Sequence, residues 1–126
     1  MNTDIFLFFN TRPDALPLYR ALEAGILESI PDVKIKVSKT QIGFSNRRGF
    51  ACASFLPVRK AALRPPVWLT VTFGLGYQKR SPRIDAAAEP YPGRWTHHVT
   101  LSRPEDVDEE LLGWLAEAAA FSANKR

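Results

Sequence analysis

Apolar and polar positions along this chain repeat with two periods. Leu18, Leu22, Ile26 and Ile30 recur every fourth residue, with Tyr19 and Leu27 widening the stripe, which predicts a helix over residues 14–30. Asp14 is placed to cap its amino end, and Pro17 is tolerated because it falls in the first turn. Pro31-Asp32 stops the helix. Val33, Ile35 and Val37 then alternate with Lys34, Lys36 and Ser38, and Ile42 and Phe44 continue the pattern after Lys39-Thr40. Period two with one wet face is a strand signature. Asn46-Arg47-Arg48-Gly49 reads as a turn with Gly49 at positive φ, so residues 41–56 form a hairpin.

Residues 57–66 make a basic connection ending in Pro65-Pro66. Val67, Leu69, Val71 and Phe73 share one face of the clearest strand, with Trp68, Thr70 and Thr72 on the other. Residues 75–94 lack periodicity and hold Pro82, Pro90 and Pro92. They read as a long loop, of the length that is usually functional or mobile. Trp95, His97, Val99 and Leu101 form one face of a last strand, opposite Thr96, His98 and Thr100. Ser102 with Glu105 has capping-box spacing, and Asp108 offers a second start for a closing helix. Val107, Leu111, Leu115, Ala118 and Ser122 mark its inner stripe, with Trp114 beside it. The pattern predicts an α+β fold: a mainly antiparallel sheet of four to five strands, with an N-terminal and a C-terminal helix on one face.

Composition changes this picture little. The 126 residues, with 45% hydrophobic and 24% charged, fit one globular domain over residues 1–126. Cys52 is the only cysteine, which excludes an intrachain disulfide and a Cys-rich zinc site and fits a reducing cytoplasm. The run Ile5-Phe6-Leu7-Phe8-Phe9 follows Asp4 rather than a basic cluster and is too short for a leader or a membrane span. No membrane association is expected.

Charge distribution says more than the formal net +4. Residues 32–66 carry eight basic side chains against Asp32 alone, while residues 102–122 carry Arg103 against six carboxylates. Such asymmetry predicts a positive face able to meet an anionic partner. The candidates are Lys39, Arg47, Arg48, Arg59, Lys60, Arg80, Arg83 and Arg94, interleaved with Trp68, Tyr77, Tyr91 and Trp95. Guanidinium forks suit phosphate or carboxylate oxygens, and aromatic faces suit stacking. Solvated lysines on an outer strand face, offset by an acidic helix, are the plain alternative.

His97 and His98 point to opposite faces of their strand, so they do not share a metal. His97 reads as a core histidine. His98 lies on the polar side, where a histidine beside cations binds phosphate or acts as a general base. Cys52, within Phe50-Ala51-Cys52-Ala53-Ser54, reads as a buried, inert thiol. No metal motif, phosphate-binding loop or cofactor fingerprint is present, and no metal or cofactor is expected.

The segments ALPLYRAL, KVSKTQIGFSNRRGFACASFLPVRK, PRI, PYPGRWTHHVTLS and DVDEELLGWLAEA, in this order, resemble the DUF5655 family of small bacterial and archaeal proteins. The resemblance spans most of the chain. It implies a small α+β fold with helices at both ends of the sheet, and it carries no activity, cofactor or catalytic residue. Related domains attached to larger proteins, restriction-type ones among them, favour an accessory role.

Two functions follow as expectations. The first is a non-enzymatic binding or accessory module whose basic surface engages an anionic ligand, nucleic acid or a protein partner, with homodimerisation through a sheet face or edge as a further use. The alternative is an enzyme acting on a phosphorylated or carboxylated small molecule. His98 would be its base and arginines its anion clamp, in a pocket roofed by the 75–94 loop.

Overall fold

The computed structural model describes residues 3–124. Its α-helices are α1 (Thr3–Phe8), α2 (Leu16–Ser29) and α3 (Glu109–Asn124). Its strands are β1 (Lys34–Val37), β2 (Gln41–Ser45), β3 (Gly49–Ser54), β4 (Leu69–Leu75), β5 (Ala86–Tyr91) and β6 (Arg94–Leu101). They form one antiparallel sheet in the order β1-β2-β3-β4-β6-β5. The fold is α+β, with six strands rather than four to five.

The added strand is β5, which lies inside the stretch expected to be loop. Ala86-Ala87-Ala88-Glu89-Pro90-Tyr91 has no branched apolar residue and no alternation, so its sequence carries no strand signature. It pairs on one side only, with β6, and its register shifts between Ala88 and Tyr91. Pro90 is therefore admissible, because an edge strand needs no donor on its open side. Pro92-Gly93 closes the hairpin with Gly93 at φ +78, the glycine position of a type II turn.

The core lies between the sheet and α2 and α3. Phe44, Ala51 and Phe73 are register partners across β2, β3 and β4. Tyr19 of α2 stacks on Phe44 at 6.2 Å and Trp114 of α3 lies 6.0 Å from Phe73, so both helices cover this face. Leu18, Leu22, Ile26, Ile30, Leu111, Leu115, Ala118 and Ser122 are buried as their spacing predicted. Leu27 is not: it is 49% exposed, because the sheet already fills the inner arc of the helix. The two helices approach closely at Gly25, where a Cβ would stand 3.0 Å from Leu112.

Three local expectations are corrected. Asp14 caps nothing, because a 3-10 turn at Pro13–Ala15 precedes α2 and Ala15 occupies the cap position without a side-chain bond. Gly49 does not adopt positive φ. Asn46 N–H to Arg48 C=O closes that turn, and a register shift after Phe44 absorbs the extra residue. Glu105 does not close a box with Ser102. Asp106 instead accepts from Ser102 N–H, Ser102 Oγ and Arg103 N–H, while Asp108 accepts from Leu111 N–H and starts α3. The apolar run 5–9 forms most of α1, whose Ile5 and the following Phe9 are buried. Among the described residues, no helix is long and apolar enough to cross a membrane.

Candidate functional site

The sheet face away from α2 and α3 is built from the small and hydroxylic alternates. Gly43, Cys52, Thr72, His98 and Ala86 are successive register partners across five strands, and Gln41, Ser54, Thr70 and Thr100 make the adjoining row. Cations stand at the margins of this face: Lys34 and Lys36 on edge strand β1, and Arg94 at the start of β6. Its centre is neutral and polar rather than cationic.

Part of the face is roofed by residues 55–68. Thr70 Oγ1 donates to Leu56 C=O at 2.7 Å, and Leu56 N–H donates to Ser54 Oγ at 3.3 Å. Thr100 Oγ1 donates to Asp85 at 2.7 Å, and Arg59 Nε donates to the other oxygen of that carboxylate at 2.9 Å. These bonds satisfy the polar atoms that the roof takes out of water.

What the roof leaves uncovered is a groove of about 730 Å³. Its polar lining includes Arg12, Lys39, Gln41, Ser54, Thr72 and His98, with Phe8 and Phe55 forming an apolar wall. Among the described residues, no carboxylate lines it. Arg12 arrives from the α1–α2 corner and lies 4.5 Å from the Phe55 ring centre; Lys39 arrives from the β1–β2 turn. Neither forms an ion pair among the described residues.

Within the groove His98 Nδ1 is 2.8 Å from Thr72 Oγ1, and Cys52 lies on the other side of Thr72. Burial holds the His98 pKa below its ordinary 6.5. The imidazole is thus neutral at pH 7, with one nitrogen fixed by a hydroxyl. Burial also raises the Cys52 thiol, more than its hydrogen bond with Thr72 lowers it. Cys52 is half-buried and weakly nucleophilic. His97, across the sheet, is wholly buried, stacks on Phe73 at 5.0 Å and accepts from Lys79 N–H at 2.9 Å. It is the core histidine its position predicted.

The nine basic and imidazole candidates do not converge. Lys39 and His98 share the groove. Arg59 and Lys60 line a separate depression with Asp85, which neutralises Arg59. Arg47 and Arg48 sit in the β2–β3 turn, which Ser122 of α3 holds by donating to Arg48 C=O. Arg80 is exposed and donates to Gln78. Arg83 is committed to Asp108 and Glu110 at 2.8 and 3.1 Å, on the acidic end of α3. Arg94 lies over Gly74, where its guanidinium would meet any Cβ, and faces the Phe121 ring. The 75–94 segment does not roof the groove: its Tyr77, Lys79 and Arg83 fasten it to α3, and its Ala86–Tyr91 strand completes the sheet.

Arg12, Gln41, Ser54 and Thr72 are groove residues that sequence reasoning did not select. The alternation placed Thr72 on the same face as His98, so that pairing was available from the pattern. Arg12 was not, because its position depends on α1, which the pattern did not resolve. Among the described residues, no cluster of three His, Cys, Asp or Glu forms. A family model described as a domain of unknown function, DUF5655, matches residues 7–122. No curated protein and no solved structure matches the chain.

Proposed function

The chain belongs to the DUF5655 family, whose description assigns no chemistry, and from that premise we propose that it is a binding module holding an anionic ligand in the polar-face groove. The observation that supports this reading is the pairing pattern of the cations. Arg59, Lys79, Arg83 and Arg103 each meet a carboxylate, whereas Arg12 and Lys39 flank a carboxylate-free cavity with no ionic partner among the described residues. Two uncompensated cations, an amide, hydroxyls and an imidazole present donors to one space, as an oxyanion requires. The lone thiol fits work in a reducing cytoplasm.

The test is a titration of the full chain at low salt with pyrophosphate, citrate and oligothymidylate, following backbone amide resonances. Shifts centred on Lys39, Gln41, Thr72 and His98, weakened about tenfold by Lys39→Ala, are expected. For the oligonucleotide, affinity falls by about 0.7 logarithmic units per phosphate neutralised for each tenfold rise in salt. Groove amides that stay in place with all three anions end the proposal.

One observation favours a second reading. Thr72 fixes Nδ1 of a neutral imidazole beside a groove cation, an arrangement suited to a general base on a bound phosphoester. His98→Gln separates the two: in a module it leaves ligand affinity within a few-fold, and in an enzyme it abolishes turnover. Phosphoesters that bind in the groove and stay unhydrolysed in phosphorus NMR exclude the base.

A further inference from the structure

Beyond Arg12 the groove is adjoined by a recess of about 310 Å³, which shares Thr11 and Arg12 with it and is otherwise lined by residues 13–15 and by Arg64, Pro66, Val67 and Trp68. Two guanidinium groups meet at its indole. The Arg12 carbon lies 5.0 Å from the Trp68 ring centre and the Arg64 carbon 5.5 Å. Among the described residues neither arginine forms an ion pair, and Asp14, the acidic residue lining the recess, pairs with neither. Elsewhere Arg59 and Arg83, brought against the folded surface, are met by carboxylates. Here two like charges share one aromatic side chain, and the one carboxylate in the recess lining, Asp14, forms an ion pair with neither.

We propose that this recess is a phosphoryl-binding subsite, in which Arg12 and Arg64 grip one tetrahedral phosphoryl group and Trp68 fixes the planes of both forks. Cation–π contact holds a guanidinium by its face and leaves its N–H edge free to donate. Two such edges offer more donors than one carboxylate can accept, whereas three phosphoryl oxygens can engage both. The subsite rests on the groove reading only through Arg12, which lines both spaces. It specifies the ligand as a phosphorylated small molecule whose phosphoryl end sits at Trp68 and whose body lies along the groove toward His98.

The experiment uses the full chain and inorganic pyrophosphate as the probe, at constant ionic strength. The indole N–H resonance of Trp68, assigned with Trp68→Phe, is followed together with the groove amides. A saturable shift of that indole is expected, with affinity reduced about tenfold by Arg64→Ala. Arg64→Lys loses most of the same affinity, because an ammonium keeps the charge but not the fork. Asp14→Asn tightens binding a few-fold by removing a repelling charge. Lys34→Ala, on β1 and outside both linings, leaves the Trp68 shift in place.

Unchanged pyrophosphate affinity in Arg64→Ala, even with a lowered melting temperature, reduces the arginine pair to a packing contact and overturns the proposal. An immobile Trp68 indole beside shifting groove amides overturns it while leaving the groove reading intact. A shifting indole beside immobile groove amides supports the subsite and removes the groove. If Arg64→Lys binds like the parent chain, the site reads charge alone and phosphoryl selectivity is lost.

Discussion

His97 and His98 are neighbours in the chain and lie on opposite sides of one sheet, and both are held neutral by burial. Burial lowers both pKa values from 6.5; for His97 it outweighs the neighbouring backbone of Phe73, which acts in the opposite direction. In the unfolded chain both titrate near 6.5, so below that value the unfolded state binds protons that the folded state refuses. The stability contributed by the neutral imidazoles is complete above 6.5 and is lost as pH falls toward the folded values. Melting temperature should therefore decline between about pH 7 and pH 5.5, and the double variant His97→Gln/His98→Gln should flatten that decline. An equal slope in parent and variant would show that other groups carry it. Cys52 supplies a second check. Its raised thiol should react with a disulfide reagent at pH 7.5 or so far more slowly than in denaturant, and Thr72→Val should slow it further by removing the bond that favours thiolate. Acceleration in Thr72→Val would contradict the assigned bond.

Elements whose apolar residues recur with a strong period were legible; elements held by pairing or by polar bonds were not. The α2 and α3 stripes and the β4 and β6 faces were readable because burial alone decides them. β5 was not, since three alanines and an edge proline state no preference and the strand exists because β6 offers it a partner. α1 was missed because a six-residue helix has less than two turns in which to show periodicity. The groove inherits that limit: its β-strand wall, including His98, follows from alternation, while the Arg12 corner depends on α1. The start of α3 makes the point testable. Asp106 takes three donors where spacing had favoured Glu105, so Asp106→Ala should cost about 1–2 kcal/mol in urea unfolding and Glu105→Ala close to nothing. Equal losses in the two variants would restore Glu105 as the cap.

At the scale of the whole molecule, charge is sorted by what each cation faces. The acidic amino end of α3 draws Arg83, Glu117 in its middle draws Lys79, and Asp85 draws Arg59. The positive residue count of the chain is thereby spent partly inside the fold, and the basic stretch seen in the sequence does not become one continuous surface. What remains uncompensated includes the groove cations and the lysines of β1. Lys34 and Lys36 are both exposed on a strand whose outer edge has no partner in the sheet. At the opposite edge, β5 carries Glu89 and Pro90. Charged side chains and proline on open edges oppose pairing with a second copy, because extending the sheet would bring like charges together or leave a carbonyl without its donor. The chain is accordingly expected to sediment as a monomer, with little dependence on concentration. Replacing both lysines, Lys34→Val/Lys36→Val, removes the repulsion at one edge and should produce concentration-dependent association while leaving anion affinity in the groove within a few-fold. A parent chain that already dimerises, through an interface that Lys34→Glu/Lys36→Glu disrupts, would show that β1 is a docking edge and that its lysines serve a partner instead of excluding one.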